Sequence, residues 1–394
     1  MKISSSTRMR GTEGHFLSKQ QEEIKKLLLA GENVINLGRG NPDQPTFSSI
    51  VEAFEDFSKE ESNYNYPPYG GKQNLKQSII HFYKDEYGVS ISENEVTIFS
   101  GSLAALTALP MALANPGENV LIPNPAFFGY ETGVKMANAN PIYMQLRKEN
   151  NYLPNYQELN TRDLKNAKLM FLNYPNNPTG AGATLKFFEE SVRFAEENEI
   201  VVVHDFAYAD ISFGKKAPSF MQANGAKSVG IELYTLSKTF NMAGWRVAFA
   251  VGNSDVISLL NQYIRSSVGG TFGAIQDAVA YGLSKTSNER DLLRRLYELR
   301  KNKVLTVLNE KNINVVAPDG TFFIWIELPN GWDDIEFANE CLQTQNVAVV
   351  PGSIFGNMGR GFIRLSLVAD VDELISGVTL LVSFIERKLR YVRS

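Results

Sequence analysis

Two cations, Lys238 and Arg246, stand in the stretch TLSKTFNMAGWRVAFAVG, at the two mouths of a tight loop between buried segments. The apolar, partly β-branched run 231–236 predicts a short strand that stops at Ser237-Lys238 in a polar, Gly-containing turn. A second apolar run, 247–251, starts straight after Arg246. Burying cations without partners is costly, so something anionic is expected between them, unless both are merely surface ends of strands. A carboxylate is the third candidate group. The run IVVV (200–203) ends at His204-Asp205, so Asp205 projects from the carboxyl end of a strand, either as a helix cap or as a functional acid.

These groups need elements to position them, and the same rhythm supplies further junctions upstream. VTIF (96–99) ends at Ser100-Gly101-Ser102, after which residues 103–114 read as a helix with Ser102 near its N-cap. Free N–H groups and the helix dipole converge at such a turn, which suits a phosphate. VLI (120–122) leads into Pro123-Asn124-Pro125-Ala126-Phe127-Phe128-Gly129-Tyr130, an aromatic cluster that serves either a ligand or the core. KLMFLN (168–173) ends at Tyr174-Pro175-Asn176-Asn177-Pro178-Thr179-Gly180, a loop rich in turn formers. Val/Ile strands alternating with helices imply a parallel sheet covered on both faces. Ligands of open α/β sheets bind outside the carboxyl ends of the strands, and one shared site explains five such junctions better than five separate accidents.

The flanking segments read differently. FLSKQQEEIKKLLLA (16–30) has helical spacing and stops at Gly31, and VINL then runs into Gly38-Arg39-Gly40-Asn41-Pro42-Asp43, either a close approach to a ligand or a plain loop. NYNYPPYGG (63–71) carries tyrosines suited to a ligand, to another subunit, or to simple packing. Beyond residue 285 come a long charged helix near 288–309, TFFIWIEL, a helical stretch, VAVV before Pro351-Gly352, and FIRLSL. In that last strand, period-2 alternation puts Phe362, Arg364 and Ser366 on one face and Ile363, Leu365 and Leu367 on the other. The expected division is an N-terminal arm with part of a small domain (1–48), a large domain (49–285) and a C-terminal small α+β domain (286–394).

Composition narrows the function classes. With 43% hydrophobic and 21% charged residues in 394, the chain is globular rather than disordered or fibrous. A net charge of −4 gives no general attraction to nucleic acid or anionic membrane. The single cysteine, Cys341, excludes an internal disulfide framework and a Cys-ligated metal cluster. MKISSSTRMRGTEGHF lacks the apolar core of a secretion signal, and no apolar run reaches the roughly 18 residues that span a bilayer. A cytoplasmic protein without a metal is the expectation.

In sum, the motifs resemble, over essentially the whole chain, those of the class I/II, fold-type I, pyridoxal-phosphate aminotransferases. The resemblance is carried by Asn177-Pro178-Thr179-Gly180, Asp205 with Tyr208, Ser237-Lys238 followed by Gly244 and Arg246, and Arg364 with Ser366. PNNPTG, HDFAYAD and YTLSKTFNMAGWRVAFAVGN look most like the methionine-salvage and diaminopimelate-type branch. The resemblance implies a three-layer α/β/α, mostly parallel sheet with a smaller α+β domain, and pyridoxal 5'-phosphate as cofactor. It implies that Lys238 holds the cofactor covalently and then shuttles a proton. Asp205 would pair with the ring nitrogen, Tyr208 and Asn177 would bond the phenolic oxygen, and Phe127 would lie against the ring face. The phosphate would fall to the N–H groups of Gly101, Ser102 and Leu103, the hydroxyls of Thr235 and Ser237, and the charge of Arg246, with Tyr66 donated by a neighbouring subunit of a homodimer. Arg364 would fork onto the substrate carboxylate, with Gly40 and Asn177 lining that pocket.

Several positions depart from the family pattern: Phe127 where Trp or Tyr is common, Leu103 in place of a polar residue, Thr235 for Ser, and Arg39 beside the substrate glycine. Phe16, Phe127, Tyr130 and Phe272 are apolar candidates for a side-chain pocket, which makes methionine and its 2-oxo acid the expected pair, with glutamine or glutamate closing the cycle. Arg39 or Arg265 could instead receive an acidic side chain, as an aspartate or diaminopimelate aminotransferase requires. A carbon–sulfur β-lyase on the same scaffold is a further alternative. A transcription regulator with such a sensor domain is disfavoured, because the family motifs already begin near residue 36.

Overall fold

Seven strands form the central sheet in the order Val96–Phe99, Ala248–Gly252, Gly230–Thr235, Val201–Asp205, Ala167–Asn173, Asn119–Asn124 and Asn140–Gln145. The coordinates are a computed structural model that describes residues 3–9, 16–313 and 315–393; residues 10–15 of the expected N-terminal arm lie outside it. Side chains alternate between the two faces as period 2 requires. Leu172, Val202 and Phe249 pack on one face against the helices Gln73–Tyr87, Leu185–Asn198 and Gly273–Lys285. Phe171, Val203 and Ala250 pack on the other against Ser102–Leu113, Gly129–Met136 and Ser254–Ser266. The result is the three-layer α/β/α arrangement expected. Each large apolar side chain fully buried this way contributes roughly 1.5–3 kcal/mol, which is what holds the strand ends rigid beneath a polar site.

Ala248–Gly252 runs antiparallel to both of its neighbours. The cause is the connection from Thr235, which contains only the one-turn helix Leu236–Thr239 and the 3₁₀ turn Ala243–Trp245, too little chain for a crossover. Lys238 therefore sits on a helical turn rather than in the plain turn expected. Thr235 caps that turn by accepting the Ser237 N–H at 3.3 Å. A one-residue difference also occurs upstream. The helix begins at Ser102 and its cap is Gly101, whose φ of 90° suits glycine, so Ser102 is not the cap.

A second core gathers the strands Phe323–Glu327 and Phe362–Ser366 with the helices Ser287–Glu310, Asp334–Gln345 and Val371–Arg393. The N-terminal segment joins it, because Ile35–Asn36 pairs in parallel with Val347–Ala348 and Leu37 is buried among the same residues. Ile363, Leu365 and Leu367 enter this core as the alternation predicts, which turns Arg364 the other way, into the cavity between the two cores. Among the described residues, no helix is long and apolar enough to cross a membrane, and no group of His, Cys, Asp and Glu side chains could hold a metal ion.

Candidate active site

A cavity of about 490 Å³ opens over the carboxyl ends of the parallel strands. Asp205 is the last residue of its strand and is paired in register with Asn173, so two polar side chains leave the sheet side by side. Asn173 is spent on structure: its Nδ2 donates to the Asp205 carbonyl at 2.8 Å, and its Oδ1 accepts the Asn177 N–H at 2.9 Å. That brace fixes the loop that presents Asn177. Asn177 Oδ1 in turn accepts from Arg364 Nη1 at 2.9 Å.

Asp205 is 5% exposed, and its oxygens are treated unequally. Oδ2 accepts from the Tyr130 hydroxyl at 2.8 Å, while Oδ1 is buried with no hydrogen-bond partner among the described residues. Burial pushes this carboxyl above its ordinary range, opposed first by the Tyr130 bond and then by the charge of His204, the backbone N–H of Ala207 and the charge of Lys238. An orphaned carboxylate oxygen facing a cavity costs several kcal/mol unless a donor meets it there.

The Lys238 ammonium donates to the Gly40 carbonyl at 2.7 Å. Enclosure lowers its pKa to about 8, helped by the charges of Arg364 and Arg246 and opposed by Asp205. Arg364 is 4% exposed, with its guanidinium 3.8 Å from the Phe323 ring centre and 4.7 Å from that of Phe355. Burial brings even this guanidinium down to about 10, and Nε finds no partner among the described residues. A planar cation held against two aromatic rings, with donors left over for a ligand, suits a carboxylate. Thr235 and Ser237 bond each other at 3.0 Å, and both line the cavity together with Ser102, Leu103 and Arg246. The first-turn N–H groups of the helix starting at Ser102 have no carbonyl within the helix to meet them, so this corner is suited to an anion.

The cavity thus brings together Gly40, Ser102, Leu103, Phe127, Asn177, Asp205, Tyr208, Thr235, Ser237, Lys238, Arg246 and Arg364. Gly101 does not line it, and its N–H is donated to the Phe99 carbonyl at 2.8 Å, so that amide is not available to a phosphate. What Gly101 provides is room: a Cβ there would lie 2.6 Å from Arg246 Nη2. Tyr66 is fully exposed and away from the cavity of its own chain. Phe16, Phe272, Arg39 and Arg265 do not line it either. Tyr130 does, but its hydroxyl serves Asp205, so it is not the plain apolar wall expected. Sequence reasoning missed Leu17 and Gln21 of the helix Phe16–Leu29, together with Asn173, Phe128, Phe323 and Phe355. Asn173, an amide at a strand end, was the one with a readable signal.

Comparison with known proteins agrees with this geometry. The family model for aminotransferases of class I and II matches residues 32–376. An L-glutamine–4-(methylsulfanyl)-2-oxobutanoate aminotransferase of Bacillus subtilis is 43% identical over 95% of this chain and 94% of its own length. An LL-diaminopimelate aminotransferase of Aquifex aeolicus is 36% identical over 91% and 92%. A solved structure of BacF from Bacillus subtilis, 40% identical, superposes with a TM-score of 0.93 over 97% of this chain and 98% of that one. With a lysine, an acid and a buried arginine converging on the sheet edge, and with these relatives spanning nearly its whole length, the chain belongs to the pyridoxal-phosphate-dependent aminotransferases of class I and II.

Proposed function

We propose that this enzyme exchanges the amino group of a neutral amino acid with a 2-oxo acid, methionine and its 2-oxo acid being the best pair and glutamine or glutamate the second amino acid. The observation that carries the substrate reading is the charge inventory of the cavity. Its cations are Lys238, Arg246 and Arg364, each already assigned to the cofactor or to the substrate α-carboxylate, while Leu17, Gln21, Phe128 and Phe355 supply neutral surface. An aspartate or diaminopimelate side chain needs a further charged partner, and neither Arg39 nor Arg265 lines the cavity. The name of the 43% identical relative supports the same substrate pair.

Pyridoxal 5'-phosphate, when bound, supplies an electron sink for cleavage at the substrate α-carbon. The residues fit it. Asp205 Oδ1 is an acceptor for a protonated ring nitrogen, and the corner formed by Ser102, Leu103, Thr235, Ser237 and Arg246 accepts a phosphate. Phe127 offers a ring face, and Tyr208 and Asn177 offer polar groups for the ring's phenolic oxygen. Lys238, with its amine near neutrality at mildly alkaline pH, attaches the cofactor and afterwards takes a proton from the substrate α-carbon. Arg364 orients the substrate through its carboxylate, next to Gly40. We also read the chain as a large and a small domain with the N-terminal arm joining the small one, as the separate cores support, and as a homodimer.

A half-reaction screen tests the substrate reading: purified holoenzyme is mixed with each amino acid and the visible absorbance of the cofactor is followed. Methionine and glutamine are expected to bleach it, and steady-state kinetics should favour methionine over aspartate and diaminopimelate. If either of those exceeds methionine by more than about two-hundredfold in kcat/KM, a larger margin than a methylene in an apolar pocket gives, the neutral-substrate reading is wrong.

A further inference from the structure

We propose that Tyr130 is a positioning residue that divides the Asp205 carboxylate, its hydroxyl engaging Oδ2 so that the group stays ionised and Oδ1 stays free for the cofactor's ring nitrogen. This rests on the reading of Asp205 given above. The observation behind it is the unequal treatment of two oxygens of one buried group, one bonded at 2.8 Å and one without a partner.

Packing makes the phenol a fixed donor. Tyr130 is 1% exposed, and its ring stacks on Phe171 with centres 5.0 Å apart and planes 22° off parallel. Phe127 meets it edge-on at 6.0 Å and 87°. The helix Gly129–Met136 that carries it is pressed against its neighbour, since a Cβ on Gly133 would lie 2.3 Å from the Leu106 carbonyl. A ring clamped on both sides cannot follow a wandering carboxylate, so the carboxylate takes its orientation from the ring. The same tyrosine touches Phe127, which ties the group reserved for the ring nitrogen to the group reserved for the ring face.

The charges around Asp205 make the bond matter. Lys238 faces it from the turn Leu236–Thr239, Tyr208 from the loop after its strand, and His204 precedes it; Arg246 and Arg364 lie in the same cavity. Burial is the largest influence and favours the protonated acid, and the Tyr130 bond is the largest factor opposing it. A charge-assisted hydrogen bond of this kind strengthens when the acceptor is ionised. Without it Asp205 would take up a proton more readily, and a protonated acid cannot hold a pyridinium.

Tyr130→Phe keeps the ring and removes the donor. In the apoenzyme, Asp205 has a folded-state pKa above its unfolded value, so its contribution to stability falls as pH rises through that folded pKa. Losing the Tyr130 bond raises the folded pKa further. The melting temperature of Tyr130→Phe should therefore drop below that of the parent by more at pH 7–8 than at pH 4–5, and in an Asp205→Asn background this pH-dependent part should vanish. In the holoenzyme the acid limb of kcat/KM should move to higher pH and cofactor affinity should fall, by roughly tenfold for a tenfold change in the proton affinity of Asp205. A loss of melting temperature that is the same at every pH, with an unmoved acid limb, makes Tyr130 a packing residue and overturns the proposal. Near-normal turnover of Asp205→Asn alone would instead overturn the reading of Asp205, so the two failures are distinguishable.

Discussion

The two tasks proposed for Lys238, attaching the cofactor and taking a proton, both need the neutral amine, and its surroundings favour that form. Its pKa of about 8 lies below the ordinary 10.5 because the cavity walls exclude water and because two guanidinium groups share the space. Between those two values the folded chain binds fewer protons than the unfolded one, so stability contributed by this group rises with pH across that window. Lys238→Met should therefore make the apoenzyme more thermostable than the parent at pH 7, with the difference shrinking as pH passes about 8 towards 10.5 and transamination absent throughout. Thermal unfolding of both apo proteins across pH checks this; a difference that does not change with pH would mean that the amine is not strained by its site. Residues such as Lys238, Asp205 and Arg364 were legible in the sequence because each is a costly type at a strand end or on a strand with an apolar partner face. The hydroxyl of Tyr130 was not, since a Tyr among aromatics reads as wall material until a carboxylate is seen opposite it. Phe355 and Leu17 carried no signal at all: they reach the cavity from segments that lie outside the run of central-sheet strands beneath it.

At the scale of elements, the strands that were read lay within about a residue or two of their places because buried faces leave little freedom in register, whereas the edge strand Asn140–Gln145, largely exposed, was not read at all. Caps and short connections were read less well, since they depend on local dihedral angles. Gly101 illustrates this, with a φ of 90° and a guanidinium where a side chain would go. Gly101→Ala should cost about 1–3 kcal/mol of stability through the positive φ and displace Arg246, weakening cofactor binding as well. Thermal denaturation and a cofactor titration on the same variant check both halves; unchanged cofactor affinity would separate Arg246 from the anion corner. The helix Phe16–Leu29 gives a second case, because Leu17 and Gln21 are one helical turn apart and both line the cavity. Leu17→Ala should raise KM for methionine severalfold while leaving kcat within about twofold, as loss of uniform side-chain binding does. A fall in kcat of equal size would assign this helix to the chemistry rather than to substrate binding.

The whole molecule carries an exposed apolar surface that one chain does not use. Tyr66 is 102% exposed, and Tyr64, Tyr69, Val268 and Phe272 are also open to solvent. They belong to one patch, because a Cβ on Gly270 would meet Pro67 at 2.6 Å and one on Gly273 would meet Asn63 at 2.3 Å, so the loop 63–71 packs directly on the segment 270–273. Lys72 and Asn63 both bond Asp277, which anchors that loop and keeps its tyrosines outward. Rigid aromatic side chains held in water favour a partner surface, and a two-fold dimer would bring the same patch from each subunit together. If Tyr66 then serves the phosphate corner of the opposite subunit, complementation must follow a definite arithmetic. Tyr66→Ala and Lys238→Ala homodimers should each be nearly inactive. In a mixed dimer, the subunit that keeps Lys238 receives Tyr66 from its partner and is complete, while the other subunit lacks both. Random reassortment makes about half of the dimers mixed, each with one working site of two, so about a quarter of parental activity should return. Activity that stays at the level of the separate variants after subunit exchange has been demonstrated by mass would mean that Tyr66 acts within its own chain or not at all.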